Sequence, residues 1–255
     1  MAIESPNSGA TAQPLVRLEN VTVSFDGFKA LDINSFAVGE SELRVVIGPN
    51  GAGKTTLCDV ISGKTPVTSG HVYFAGTETT RLRDATIARM GVGRKFQTPT
   101  VFDSLTVYEN MELALPNQRS VFSNLFGKVS PEQHESILSI LDRVRLIGDL
   151  YTPAKYLSHG QRQWLEISML IVAHPKLLLI DEPAAGLTDK ETELTAELLL
   201  ELKGHHTIIC IEHDMDFVRR LNSRVTVLDN GKVLAEGTLD EVQANEQVVE
   251  AYLGR

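Results

Sequence analysis

Residues 48–55 read Gly48-Pro49-Asn50-Gly51-Ala52-Gly53-Lys54-Thr55, a G-x-x-x-x-G-K-[ST] run. No other stretch narrows the possible folds so far, because this run needs a strand before it and a helix after it. Both neighbours suit it. Residues 43–47 are a short apolar run fit for a buried strand, and 55–62 carry a helical pattern that Gly63 stops. Backbone N–H groups of a glycine-rich turn and of the following helix N-terminus converge on a phosphate group. Glycine permits the close approach that a Cβ would block. Lys54 can reach β- and γ-phosphates, and the Thr55 hydroxyl suits a Mg²⁺ ion. A chance match arises in roughly one chain in a hundred of this length, and chance does not also supply the flanking strand and helix.

Residues 177–182, LLLIDE, give a second fixed point. A buried apolar strand that ends in two carboxylates is costly unless those groups have a task. Asp181 fits a residue that holds Mg²⁺, usually through water. Glu182 fits a general base that polarises an attacking water. The plainer alternative is a strand simply reaching the surface, which the upstream phosphate loop disfavours.

The rest of the chain falls into place around these two. Residues 15–25 alternate apolar and polar around β-branched side chains, the pattern of a half-buried strand that can turn back as a hairpin. A strand is expected at 71–74 after a Ser69-Gly70 turn, and another at 91–96, ending at Gln97. From 106 to 156 the texture is helical, punctuated by Pro116, Pro131 and Pro153. Strand and helix then alternate: helix from 158, strand 177–180, helix 191–203, strand 207–211, helix 214–221. Strands 224–228 and 232–235 meet through Asn230-Gly231, a strong hairpin signal, and a last helix is expected over 240–253. The expected fold is α/β: a P-loop NTPase with a mixed, mainly parallel sheet, helices on both faces, an N-terminal antiparallel β part and an inserted helical subdomain. The expected division is a flexible tail at 1–14 and one domain at 15–255, with a core at 15–97 and 158–255 and helices at about 98–157.

Composition removes several function classes. The chain has 255 residues, 24 basic and 33 acidic side chains and a formal charge of −9, which argues against a nucleic-acid binder working through bulk positive charge. No apolar run approaches the ~18 residues of a membrane span. The first residues show neither the basic nor the apolar region of a signal peptide. Cys58 and Cys210 lie far apart with no metal-ligand spacing, so reduced structural thiols are expected.

Residues 157–161 read Leu157-Ser158-His159-Gly160-Gln161, directly before a helical pattern and upstream of Asp181. With the phosphate loop and 177–182, this segment resembles the LSGGQ signature of ATP-binding cassette (ABC) proteins. In that family's order, Gln97 is similar to its Q-loop glutamine, Ala185-Gly186-Leu187-Thr188 to its D-loop and His213 to its switch histidine. Phe25 is similar to the aromatic that stacks on adenine, with Phe28 competing for that place. The match runs from 15 to 253 with one set of motifs, as in a single cassette. Each residue also has a bland reading: Ser158 and Gln161 spell a capping box, Gln97 a solvated side chain, His213 a neighbour of a helix cap, Phe25 a core ring. Two positions depart from the family pattern. His159 stands where the signature has glycine, and Thr188 where the D-loop has aspartate.

The resemblance implies ATP as substrate, held by Gly48, Pro49, Asn50, Gly51, Ala52, Gly53, Lys54, Thr55, Thr56 and Phe25. It implies catalysis by Glu182, His213 and Gln97, and Mg²⁺ near Thr55, Gln97 and Asp181. Leu157, Ser158, His159, Gly160 and Gln161 would face the ATP of a partner subunit in a head-to-tail sandwich. Residues 98–110 would receive the membrane subunit, with Val101 and Phe102 candidates for that surface. Val121, Phe122, Leu125 and Phe126 form a second apolar cluster, expected to pack inside the helical insert. The EPAAGLT run (182–188), the non-glycine third signature residue and the VVEAYLG ending (248–254) resemble the ATPases of hydrophobic amino acid and amide uptake systems. Within that branch GRKFQTPTVF (93–102) and LSHGQRQW (157–164) look most similar to urea-transporter ATP-binding subunits. The expectation is therefore an importer ATPase for urea or short amides, on the cytoplasmic face of the inner membrane. It would work with a second, related ATPase subunit, two transmembrane permeases and a periplasmic solute-binding protein, and without nucleic acid; in isolation a homodimer is the alternative. The first rival is a branched-chain or hydrophobic amino acid importer. Rivals of another class are a soluble cassette ATPase, such as one for iron–sulfur assembly or DNA repair, and a scaffold that binds ATP without hydrolysing it.

Overall fold

The computed structural model describes residues 13–95, 101–116 and 129–253. Strands β1 (Val16–Phe25) and β2 (Phe28–Val38) form an antiparallel hairpin. Val16, Leu18, Val21 and Val23 are buried and the residues between them less so, the period-two pattern of a sheet with one covered face. β4 (Ser69–Phe74) pairs with the other edge of β1, and β5 (Thr77–Glu78) completes a four-stranded sheet in the order β2-β1-β4-β5. The sequence expectation of a turn at Ser69-Gly70 is corrected here. Both residues lie in β4, where the pairing with β1 shifts register between Glu19 and Thr22, so the irregularity is a bulge.

The second sheet places β10 (Lys232–Gly237), β9 (Arg224–Asp229), β3 (Leu43–Ile47), β8 (Thr207–Ile211), β7 (Leu177–Asp181) and β6 (Val92–Arg94) side by side in that order. The five strands from β9 to β6 are parallel and only β10 is antiparallel. Asn230 and Gly231 at its turn both have positive φ, 47° and 77°, as a two-residue primed hairpin turn requires.

Every residue of β3, β7 and β8 is buried. Alternate side chains serve two separate cores. Leu178, Ile180, Ile208 and Cys210 face one cluster, while Leu177, Leu179, Ile209 and Ile211 face the other. The second cluster is closed by the antiparallel sheet and by α1 (Lys54–Ile61), through Leu18, Leu31, Phe36 and Leu57. The first is closed by α5 (His159–Ile171), α6 (Asp189–Leu202) and α7 (Met215–Leu221). It continues without a break into α3 (Val107–Ala114) and α4 (Pro131–Arg143), through Val107, Met111, Ile137 and Leu141. The inserted helices thus share their core with the sheet. Cys58 and Cys210 are free and buried, and burial pushes the Cys58 thiol up to about 12.

Two short elements carry weak sequence signals and were not expected: β5 and α2 (Asp84–Arg89), the latter with one buried side chain, Ile87. The single helix expected over 240–253 is two, α8 (Leu239–Gln243) and α9 (Glu246–Leu253). Asn245 breaks it, its side chain accepting the Gln247 N–H at 2.9 Å.

Helix α7 follows directly on the strand end that carries His213. Asp214 caps it by accepting the N–H groups of Asp216 and Phe217, and the Phe217 ring is wholly buried. Phe217→Ala should lower stability by about 3–5 kcal/mol. Chemical denaturation should show this as a fall in transition midpoint at unchanged slope.

Candidate nucleotide-binding site

Three parallel strands end on one edge of the sheet. β3 runs into the 48–53 loop, β7 delivers Asp181 and Glu182, and β8 delivers Glu212 and His213. Ligands of open α/β sheets settle at this carboxyl edge. Gly53 stands at the N-cap of α1 with φ 100°, and a Cβ there would lie 2.6 Å from the Ala30 carbonyl oxygen. Only glycine fits both conditions. The Ala52 N–H donates to the Pro49 carbonyl at 3.1 Å, and the Ala52 carbonyl accepts from Gly231 N–H at 3.0 Å, which ties the loop to the β9–β10 turn.

Lys54 Nζ donates to the carbonyls of Gly48 (2.6 Å) and Pro49 (2.9 Å). The ammonium is therefore pinned across its own loop. Burial pulls its pKa below the usual lysine value, and the charges of Glu182 and Asp181 oppose that pull. Thr55 Oγ1 donates to Asp181 Oδ2 at 3.4 Å. Desolvation raises the Asp181 pKa, and the neighbouring Glu182 raises it further. A hydroxyl beside a desolvated carboxylate is an all-oxygen, hard donor pair of the kind a small divalent cation takes. Thr55 and Asp181 accordingly fit Mg²⁺.

Glu182 has φ 49°, a region that non-glycine residues seldom occupy. Its N–H donates to the Ile211 carbonyl at 3.0 Å. Its Oε1 lies 3.4 Å from His213 Nδ1, and both side chains stay accessible to solvent, 42% and 63% exposed. A carboxylate and an imidazole are thus held together, open to water, beside the phosphate loop. Phe25 and Phe28, 52% and 67% exposed, line the same cleft with Asn50, Gly51, Ala52, Gly53, Lys54, Thr55, Thr56 and Glu182. Both rings meet the description of a stacking surface, so the competition between them stands.

Residues 157–161 do not line that cleft. Ser158 caps α5, with its Oγ accepting from Gln161 N–H at 3.2 Å and Gln161 Oε1 accepting from Ser158 N–H at 2.9 Å. The capping-box reading of S-x-x-Q is therefore correct locally, and it gives the signature segment its shape. Gly160 packs so closely that a Cβ would stand 2.3 Å from Glu191 Oε1. His159 Nε2 lies 3.2 Å from the Ala185 carbonyl oxygen, so the histidine at the glycine position bridges to the 185–188 turn. Thr188 caps α6 and forms its own capping box with Glu191. Threonine, like aspartate, is a good N-cap.

Some expected positions fall outside the described residues: Gln97, residues 98–100 of the 98–110 surface, and the cluster Val121, Phe122, Leu125 and Phe126. Of the pair Val101 and Phe102, the first is buried in the core shared with the inserted helices and the second is 55% exposed. Glu212, wholly buried, was not anticipated. Its only sequence signal is a carboxylate placed directly after the apolar run 207–211.

With this geometry, the chain can be set beside known proteins. A model of the ABC transporter family matches residues 31–185, and one of the branched-chain amino acid ATP-binding cassette transporters matches 232–255. Two curated relatives are the high-affinity branched-chain amino acid transport ATP-binding proteins LivG of Salmonella typhimurium and BraF of Pseudomonas aeruginosa. LivG is 37% identical over 252 residues and BraF 34% over 254, each alignment covering 95% of this chain and 99% of the relative. Among solved structures, a nucleotide-free ATP-binding cassette from an ABC transporter is 33% identical with TM-score 0.83, covering 95% of this chain and all of that one. A dimeric bacterial ABC transporter cassette is 28% identical with TM-score 0.74, covering 88% and 98%. The chain belongs to the ABC transporter family. The second family model and both curated relatives are of the branched-chain amino acid transport branch, and the chain is an ATPase subunit of that kind. The expectation that ranked urea and short amides first is not what these relatives carry; they fit the branched-chain alternative better.

Two outcomes follow from the buried charges. Lys54→Ala removes the loop's cation, and nucleotide affinity, measured by titration with a fluorescent ATP analogue, should fall at least about tenfold. Asp181 carries a pKa raised by folding. The folded state therefore binds protons more tightly than the unfolded one, and stability declines as pH rises from the ordinary carboxylate range through the raised value. Asp181→Asn should raise the thermal midpoint of the nucleotide-free protein at pH 7–8, with the gain shrinking as pH falls. Thermal unfolding over a pH series measures it.

Proposed function

We propose that this chain hydrolyses ATP to drive solute uptake through a branched-chain amino acid type importer. The observation that carries this reading is the convergence of Lys54, Thr55, Asp181, Glu182 and His213 on one strand edge. Phosphoryl transfer needs positioning and charge stabilisation more than covalent chemistry, and this edge supplies both. In our reading the loop residues 48–56 hold the phosphates, with Lys54 on the β- and γ-groups and Phe25 or Phe28 under the base. Glu182 takes a proton from water as the water oxygen attacks the γ-phosphorus. The bond to the β–γ bridging oxygen breaks, and ADP leaves with the electron pair. His213 supports the γ-phosphate and holds Glu182 in place; Gln97 organises the water. Mg²⁺, when bound beside Thr55 and Asp181, would supply charge neutralisation for the leaving group.

The 157–161 segment serves the site of a second subunit. A capped helix start offers N–H donors to an anion, and its separation from the cleft of its own chain supports a role across an interface. ATP then joins two cassettes and hydrolysis parts them. The helices at about 98–157, inserted between the core segments 15–97 and 158–255, would face two permease subunits. Among the described residues no helix is long and apolar enough to cross a membrane, so in this reading the subunit attaches to the inner face of the membrane through those permeases. A periplasmic solute-binding protein completes the system, and a related but distinct cassette is the natural partner.

The relatives named for branched-chain amino acid transport support a leucine-like solute. One observation favours urea as a second reading: the stretches GRKFQTPTVF and LSHGQRQW, the similarity to the curated relatives being no more than 37% identity. Replacing Glu182 with Gln in the source cells should leave ATP binding intact and cut turnover by ~10²–10⁴-fold. Uptake of labelled leucine and labelled urea is then measured in those cells. Loss of leucine uptake alone supports the first reading, and loss of urea uptake alone the second. Normal ATP turnover in the purified variant would refute the role of Glu182.

A further inference from the structure

Glu212 is a charged side chain with no exposed surface. It follows β8 directly, immediately before His213, and lies beside the β7 end that bears Glu182. Its Oε1 accepts the Ala184 N–H at 2.9 Å. Its Oε2 accepts the N–H groups of His213 at 3.0 Å and Asp214 at 3.3 Å. Its own N–H donates to the Val46 carbonyl at 3.1 Å, which fixes its backbone to β3. A buried carboxylate is tolerated where such donors satisfy it. Here all three side-chain bonds come from backbone groups of the two segments that matter for the reaction.

The geometry points to Glu212 as a positioning residue for Glu182 and His213. This inference rests on the functional reading of those two residues. Glu182 occupies the left-handed region at φ 49°, and such a conformation persists only when its surroundings over-determine it. The β8 end supplies that constraint twice. Ile211 carbonyl holds the N–H of Glu182 itself, and the Glu212 carboxylate holds the N–H of Ala184, two residues on. The same carboxylate fixes the backbone of His213, whose Nδ1 stands 3.4 Å from Glu182 Oε1. One side chain thus sets both ends of the Glu182–His213 pair. Loss of its acceptor oxygens frees the 182–184 turn and the 213–214 turn together, while the phosphate loop, bonded elsewhere, keeps its shape.

The test is Glu212→Gln in the full-length protein, alone and combined with Glu182→Gln. Steady-state ATP turnover, affinity for a fluorescent ATP analogue and thermal midpoint are measured for each. A Gln amide turns one acceptor oxygen into a donor facing a backbone N–H. We expect kcat to fall about tenfold to a hundredfold, the usual effect of a small misplacement of reacting groups, with affinity within about twofold of the native value. In the Glu182→Gln background the second substitution should cost clearly less than it does alone, because one of its two targets is already gone. Normal turnover in Glu212→Gln alongside a crippled Glu182→Gln overturns this inference and leaves the function standing. Parallel losses of affinity and thermal midpoint, or multiplied losses in the double variant, also overturn it by showing a merely structural role. Normal turnover in Glu182→Gln fails the functional reading itself. Should Glu212→Gln not fold, Glu212→Asp decides the same question: it keeps the charge, shortens the reach, and should lower kcat without lowering affinity.

Discussion

The burial of β3, β7 and β8 on both faces governs the rest of the molecule. A strand with apolar neighbours above and below has little lateral place for a polar group, and Arg44 near the start of β3 is buried only because Glu42 and Glu236 pair with it. Groups that must meet a ligand therefore appear at the strand end. Because the three strands run parallel, those ends coincide. The phosphate loop, the Asp181–Glu182 pair and the Glu212–His213 pair are therefore neighbours in space although far apart in sequence. Shifting any one strand by a residue would move its chemistry off the edge and exchange the side chains that fill the two cores. The hydrophobic effect that assembles the sheet also sets the register of the site.

The charges at this edge oppose the stability of the fold. Asp181 and Lys54 are both buried, and desolvation moves the pKa of each toward its neutral form. Each is partly compensated by the other's charge, by the Thr55 hydroxyl and by loop carbonyls. Such sites are where natural proteins sacrifice stability for function. The compensation is shared: without Asp181, Lys54 keeps two loop carbonyls and the Glu182 charge, and without Lys54, Asp181 keeps the Thr55 hydroxyl and the Arg94 charge.

Much of this was legible in the sequence, and the reasons differ from residue to residue. The loop 48–55 and the LLLIDE strand announce themselves because backbone geometry and burial leave few acceptable residue types. Asn230-Gly231 is legible for the same reason. Ser69-Gly70 misled because glycine marks bulges as well as turns. The 240–253 segment misled because its apolar periodicity spans a break made by one Asn245 side chain. Glu212 was invisible because its importance lies in backbone partners brought together only by the parallel pairing of β7 and β8. Thr188 and His159 looked like departures until their contacts were known. One caps a helix, and the other reaches the Ala185 carbonyl. The transported solute is legible least of all, since no residue of an ATPase subunit in this reading touches it.

The two cysteines have a practical consequence. Cys58 and Cys210 lie inside the cores, at 1% and 0% exposure, with burial holding the Cys58 thiol near 12 and that of Cys210 well above its ordinary value. Thiolate is the form that alkylating and dye-bearing reagents attack, and at neutral pH neither site offers it. A single cysteine introduced on the surface of the folded chain would carry nearly all of a maleimide label. Distances between cassettes could then be followed by fluorescence in the otherwise native protein, without first building a cysteine-free variant.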